Sequence, residues 1–288
     1  MPPVTRLFYV LARMPLPLMQ RLGTVLGWCV WCLSPSYRRH FKANVQAAGV
    51  AWADARPAVA ATGAMVAELP WVWMRPHSAT LSALVKWDGA EHFEVAMQAG
   101  KGVIIMSPHL GAWEIGAQAI AEKFGPTHGS MVALFRPARK AWLEPLVANA
   151  RTRPFLDSAP TSLAGVRTLM RALRNGGYTA ILPDQVPPLG QGVWAPFFGR
   201  PVYTMTLLAK LAQQTGAQVI LTWCERLPAG QGFCMHMRPF DAPEMKDAQV
   251  SPELAAAAVN RGVECMVLDA PGQYLWGYAR DKQPRAEG

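Results

Sequence analysis

Residues 102–120, GVIIMSPHLGAWEIGAQAI, constrain this chain more than any other stretch. The apolar run Val103–Met106 has the length and β-branched content of a buried strand, and Ser107-Pro108 breaks it. His109 and Glu114 come next, followed by an apolar segment of helix-compatible composition. A titratable base at the mouth of a strand, with a carboxylate five residues on, is the arrangement of an acid–base device. The imidazole accepts a proton near neutral pH, and the carboxylate fixes its tautomer and stabilises the imidazolium. The bland reading of the same residues is a surface His beside a helix-start Glu that complements the helix dipole.

The rest of the chain extends this alternation. Strand patterns fall at residues 84–87, 131–135, 178–182, 219–223 and 233–237. Helical patterns fall between and after them, at 90–99, 140–150, 163–174, 204–214 and 252–268. Gly100 stops the helix at 90–99, while Thr161 or Ser162 caps the helix at 163–174 and Asn175-Gly176-Gly177 stops it. No internal repeat or dividing linker interrupts the 288 residues. The expected fold is therefore α/β, with a mixed, largely parallel central sheet covered by helices. Residues 46–288 read as one domain, and residues 1–45 as an N-terminal membrane-associating helical segment.

That segment carries Arg6, Arg13 and Gln20 at intervals of seven among apolar residues, so one helix would put all three on one face. Pro15 and Pro17 break it, and the unbroken apolar run 22–33 falls short of the roughly 20 residues that span a bilayer. The basic cluster Arg38, Arg39, His40 and Lys42 suits anionic headgroups. An interfacial anchor is the expectation, and an ordinary buried helical hairpin the alternative. Residues 51–74 read as a further helix ending in Trp71 and Trp73, placed either at a lipid interface or in the core. Only 16% of residues are charged while the net charge is +9, which suits an anionic membrane or a phosphorylated substrate. Nucleic acid is not indicated, because the bases are scattered and no binding motif is present. Five cysteines, an odd number, do not form a disulfide scaffold, and Cys29-x-x-Cys32 lies among tryptophans with no partner pair.

In a sheet of this kind, loops at the carboxyl ends of neighbouring strands converge on one crevice. Three such ends carry polar groups: Ser107 with His109 and Glu114, then Arg136, then Asp184 with Gln185. Arg151 and Arg153 add two donors suited to phosphate or to a developing oxyanion. As bland alternatives, Arg136 is a solvated loop residue and Asp184 a turn carboxylate.

Taken together, these blocks resemble the lipid A late acyltransferases over nearly the whole chain. The H-x4-D/E motif matches His109 and Glu114, the aromatic-Arg-Pro element matches Phe135-Arg136-Pro137, and a second arginine falls at Arg151. Gly176-Gly177 with Asp184-Gln185, Pro196-Phe197-Phe198-Gly199, Asn260, Glu264 and Gln273-Tyr274-Leu275-Trp276 match further blocks in order. Two features depart from the pattern: Gly272 replaces a usual Glu, and Tyr278-Ala279-Arg280-Asp281-Lys282 replaces a His-Arg-Arg-Phe-Lys run.

The resemblance implies transfer of a fatty acyl chain from acyl carrier protein, or acyl-CoA, to a hydroxyl of a phosphorylated glycolipid at the cytoplasmic face of the inner membrane. It needs no metal or redox cofactor. His109 would be the general base and Glu114 its expected carboxylate partner, with Asp184 the rival. Arg151 would stabilise the oxyanion, and Arg136, Arg153 and Gln185 would bind substrate. A different glycolipid or specialised lipid acceptor, or a non-catalytic membrane-associated relative, are the alternative readings.

Overall fold

A computed structural model describes residues 3–135 and 153–286 of the chain. The helix expected at 140–150, Arg136 and Arg151 lie outside the described residues. The chain opens with helices α1 (Pro3–Ala12), α2 (Leu16–Leu33), α3 (Pro35–Ala47), α4 (Trp52–Ala55) and α5 (Pro57–Met74). Strand and helix then alternate through β1 (Val85–Asp88), α6 (Ala90–Gln98), β2 (Val103–Met106), α7 (Trp113–His128), β3 (Met131–Phe135) and β4 (Leu156–Pro160). After these come α8 (Leu163–Arg174), β5 (Tyr178–Ile181), β6 (Gly192–Phe197), β7 (Arg200–Met205) and α9 (Leu207–Thr215). The described chain closes with β8 (Gln218–Arg226), β9 (Phe233–Phe240) and α10 (Pro252–Asp269).

Seven strands form one sheet in the order β1-β9-β8-β2-β5-β3-β4. Every neighbouring pair is parallel except β8 with β9. The sheet is thus mixed and largely parallel, with β2 at its centre. Successive β2 side chains enter opposite layers, as the two-residue period of a strand requires. Val103 and Ile105 pack with Phe93 of α6 and Ile115 and Phe124 of α7. Ile104 and Met106 pack with Leu169 of α8, Leu208 of α9, Val259 of α10 and Phe41 of α3. All four β2 side chains are fully buried, which explains their continuous apolar run.

The helix expected at 204–214 begins later. Residues 200–205 instead form β7, which pairs with β6 in a two-stranded antiparallel hairpin. Its two-residue turn holds Phe198 at φ 46° and Gly199 at φ 72°, the left-handed pair a tight hairpin turn requires. From α10, Asn260 Nδ2 donates to the Pro196 carbonyl at 2.8 Å, and Glu264 Oε1 accepts from Phe198 N at 2.6 Å. The Pro-Phe-Phe-Gly block, Asn260 and Glu264 therefore build one supporting unit.

The N-terminal chain breaks at Met14-Pro15, while Pro17 sits in the first turn of α2, where its missing N–H costs nothing. Arg6, Arg13 and Gln20 do not share a face: both arginines are exposed, and Gln20 is buried and donates to Glu68 Oε1 at 2.8 Å. α2 crosses α5 at glycines. A Cβ on Gly63 would lie 2.0 Å from the Gly23 carbonyl, so neither helix can carry a larger residue there. The opposite side of α2 leaves Leu18, Leu22, Val25, Leu26 and Leu33 exposed, the last at 82%. Among the described residues, no helix is long and apolar enough to cross a membrane.

Candidate active site

The site follows from sheet register. Met106 of β2 pairs with Ile181 of β5, and each is the last residue of its strand. His109 and Asp184 each lie three residues beyond those ends, so the two loops leave adjacent parallel strands side by side. Asp184 Oδ1 lies 2.7 Å from His109 Nδ1, and Asp184 Oδ2 accepts the His109 backbone N–H at 2.9 Å. A carboxylate only accepts, so Nδ1 carries the proton and Nε2 keeps its lone pair. Gln185 Nε2 donates to that lone pair at 3.0 Å. The ring of Trp113 stands edge-on to the imidazole with centroids 5.0 Å apart.

The expectation put Glu114 on the imidazole; the carboxylate hydrogen-bonded to Nδ1 is Asp184. The reason is sheet order. β2 and β5 are neighbours in space, although α7, β3 and β4 separate them in sequence. Glu114 sits buried in the first turn of α7 and acts on the imidazole through its charge. Burial pulls the His109 pKa down, but Asp184, by charge and hydrogen bond, and Glu114 outweigh it and leave it above the ordinary value. Burial likewise pushes Asp184 up, and the imidazole, the His109 backbone N–H and the Arg280 charge together hold it below the usual carboxylate range.

The His109 loop is fixed from two sides. Gly111 at φ 64° lets the backbone pass against β8, where a Cβ would lie 2.0 Å from the Cys224 carbonyl. Ala112 N donates to that carbonyl at 2.7 Å, and Gly111 N donates to the Gln273 carbonyl at 3.1 Å. Leu110 bridges Tyr274. The same closing segment reaches the other loop, where the Tyr278 hydroxyl accepts from Val186 N at 3.0 Å. Tyr278 stands at a departure from the pattern noted in the sequence, and it serves here as a prop. Arg280, 2% exposed, donates to the Tyr203 carbonyl, Thr204 Oγ1 and Asn260 Oδ1 at 2.6, 3.1 and 3.3 Å. Sequence reasoning gave Trp113 and Arg280 no role at the site. An aromatic inside the H-x4-E spacing was the available signal for the first.

His109, Trp113 and Gln185 line a cavity of about 790 Å³. It runs along small or apolar side chains of α7, β3 and β4, including Gly116, Ala117, Ile120, Met131 and Leu156. Leu163 and Val166 of α8 and Lys210 of α9 form another part of its wall. An apolar chamber with one base and a few polar groups suits a long hydrocarbon whose reacting carbon lies beside the imidazole.

Of the sequence-derived candidates, His109, Asp184 and Gln185 come together, with Glu114 near them. Arg153 does not line this cavity. It is 7% exposed, donates from Nη2 to the Val72 carbonyl at 3.1 Å, and its pKa falls to about 10. Burial is the main cause, the neighbouring Arg75 charge adds to it, and Glu122 partly offsets both.

Residues 4–282 match the family described as bacterial lipid A biosynthesis acyltransferase. A lipid A biosynthesis acyltransferase of Haemophilus influenzae is 32% identical over 190 residues, 65% of this chain and 56% of that protein. The lipid A biosynthesis lauroyltransferase of Escherichia coli K12 is 26% identical over 228 residues, 78% of this chain and 70% of its own length. A phosphatidylinositol mannoside acyltransferase of Mycobacterium tuberculosis is 27% identical over 149 residues, half of this chain and 45% of its own. With the match spanning nearly every residue, the chain belongs to the bacterial lipid A biosynthesis acyltransferase family.

Proposed function

We propose that this chain moves a fatty acyl group from a carrier-protein thioester to a hydroxyl of a lipid A precursor. The acceptor hydroxyl displaces the Gln185 amide and donates to His109 Nε2. As its oxygen attacks the thioester carbonyl, the proton passes to Nε2 and a tetrahedral oxyanion forms. Asp184 holds Nδ1–H and offsets the imidazolium charge. Collapse of the intermediate breaks the carbon–sulfur bond, and the imidazolium protonates the departing thiolate. Arg151 is the proposed oxyanion donor, and Arg136 is proposed to serve substrate phosphate; Arg153, buried against Val72 outside the cavity, takes no part in this reading. The exposed apolar side of α2 is proposed to rest in the cytoplasmic face of the inner membrane, without spanning it.

The observation that carries the reading is the Asp184–His109 pair, with His109 and the Gln185 bonded to its Nε2 both lining an apolar cavity. The mycobacterial relative, named for a different glycolipid, favours a second reading in which the chemistry stays and the acceptor changes. Purified protein is incubated with carrier-protein thioesters, CoA thioesters and a panel of glycolipid acceptors, and products are read by mass spectrometry. Acylated lipid A precursor is expected from wild type. His109→Ala is expected to lose at least about two orders of magnitude. Near-normal turnover in a folded His109→Ala would refute the mechanism.

A further inference from the structure

The exposed side of α8 carries Arg167, Arg171 and Arg174 at the spacing that puts them on one helical face. None of the three has a side-chain hydrogen bond or ion pair among the described residues, and residues 161–183 contain no Asp or Glu. The opposite face, Gly165, Leu169 and Leu173, is buried against the sheet. Arg171 and Arg174 lie in the last turn, where they complement the helix dipole, but Arg167 in the middle gains nothing from it. Successive arginines are about 4.5–6 Å apart along the axis. That is within the ~8 Å screening length at physiological salt, so they act as one positive field.

This field adjoins the entrance to the acyl cavity. Leu163 at the start of α8 is 77% exposed and lines the cavity, and Val166, next to Arg167, lines it too. Lys210 on α9, the only charged residue of that helix, is exposed and lines the same cavity. We propose that the Arg167–Arg171–Arg174 face of α8, with Lys210, is the docking surface for an acidic carrier protein that presents the acyl thioester to the cavity. The inference rests on the carrier-thioester donor of the proposed function and assigns it a surface.

Charge complementarity favours a protein partner over a bilayer. A bilayer-seated helix interleaves its bases with large apolar side chains, and α8 exposes just one, Leu163, at its end. The exposed apolar side chains of the N-terminal helices, Leu7, Val10, Leu22 and Val25 among them, supply what a bilayer needs.

The test compares wild type with the triple variants Arg167→Glu/Arg171→Glu/Arg174→Glu and Arg167→Gln/Arg171→Gln/Arg174→Gln, the second guarding against misfolding by charge reversal. KM and kcat are measured with acyl carrier protein thioester and with the same acyl chain on free pantetheine, at low salt and at about 1 M salt. At low salt the Glu variant should raise KM for the carrier-borne donor about tenfold or more, with kcat within about twofold. The Gln variant should do so to a lesser degree, and pantetheine kinetics should not change. At about 1 M salt, where screening falls to ~3 Å, wild type and variants should converge. Unchanged KM for the carrier-borne donor in both variants overturns the docking surface while leaving the donor assignment intact. Equal losses on both donors overturn it as well. Loss of binding to vesicles containing anionic lipid, with donor kinetics unchanged, would assign the face to the membrane instead. Wild-type turnover with CoA thioesters and none with carrier protein would remove the donor reading and the docking surface together.

Discussion

Asp184→Asn tests the site most sharply, because the structure dictates how the amide must sit. Asp184 uses both oxygens as acceptors, one from the His109 backbone N–H at 2.9 Å and one from Nδ1–H at 2.7 Å. Asparagine has a single oxygen. The backbone N–H cannot become an acceptor, so the oxygen stays with it and the NH2 group turns to Nδ1. The ring then adopts the tautomer with its proton on Nε2 and has no lone pair to offer the acceptor hydroxyl. An enforced wrong tautomer in a buried His–carboxylate pair costs about 10⁴ in kcat. A second readout follows from the charge. Asp184 is the main influence raising the imidazole pKa, and burial opposes it. The base works when neutral, so wild-type kcat/KM rises with pH through a value above the ordinary ~6.5 of imidazole. In Asp184→Asn the residual activity should rise at lower pH. Glu114→Gln should shift the same limb less and lose far less turnover, because Glu114 acts on the ring as the smallest of the upward influences. Steady-state kinetics across pH on folded variants supply both measurements. A loss under about tenfold in Asp184→Asn beside a severe one in Glu114→Gln would refute this assignment.

Glu68 is 2% exposed and accepts from Arg226 Nε at 2.7 Å and Nη2 at 2.5 Å. Glu68→Gln should destabilise the fold by about 3 kcal/mol, seen as a lower denaturation midpoint, because it leaves a buried guanidinium without its counter-charge. Ala117→Phe fills the cavity beyond His109 and should move donor preference to shorter acyl chains, with an unchanged chain-length profile counting against the acyl-chamber reading. Val25→Glu with Leu26→Glu, on the exposed side of α2, should shift the protein from the membrane to the soluble fraction after cell lysis.

Much of the fold could be read from local pattern, and the places where reading failed share a cause. β2 and its helix were legible because a fully buried strand leaves an unbroken apolar run. β4, Leu-Asp-Ser-Ala-Pro, has the composition of a loop and becomes a strand only by pairing with β3. β7 is a strand because the Phe198-Gly199 turn folds it onto β6, and its Thr204 is fully buried against Asn260. α3 carries a local signal of its own. Ser34 precedes Pro35, and its hydroxyl accepts from Tyr37 N at 3.3 Å, an ordinary helix start. The partner of His109 lay beyond local signals altogether. The resemblance through the H-x4-E motif favours Glu114, and the order of strands in the sheet puts Asp184 on the ring.

That dependence on strand order explains why so many matching blocks lie far from the reacting atoms. A hydrogen bond between two loops is only as exact as the loops' supports, and here the segment 273–280 supports both. It receives Gly111 N on the His109 side and Val186 N on the Asp184 side. It then ends in Arg280, whose guanidinium donates to neutral acceptors of β7 and α10. Because those acceptors do not neutralise it, the Arg280 charge remains to favour the ionised form of the fully buried Asp184. The β6–β7 hairpin and α10 hold Arg280 through Thr204 and Asn260, and Glu264 holds the hairpin turn. The Pro-Phe-Phe-Gly block thus acts on the chemistry at two removes: it helps anchor Arg280, whose charge adds the smallest of the influences that favour ionised Asp184 after those of His109 itself, and Asp184 keeps the lone pair on His109 Nε2.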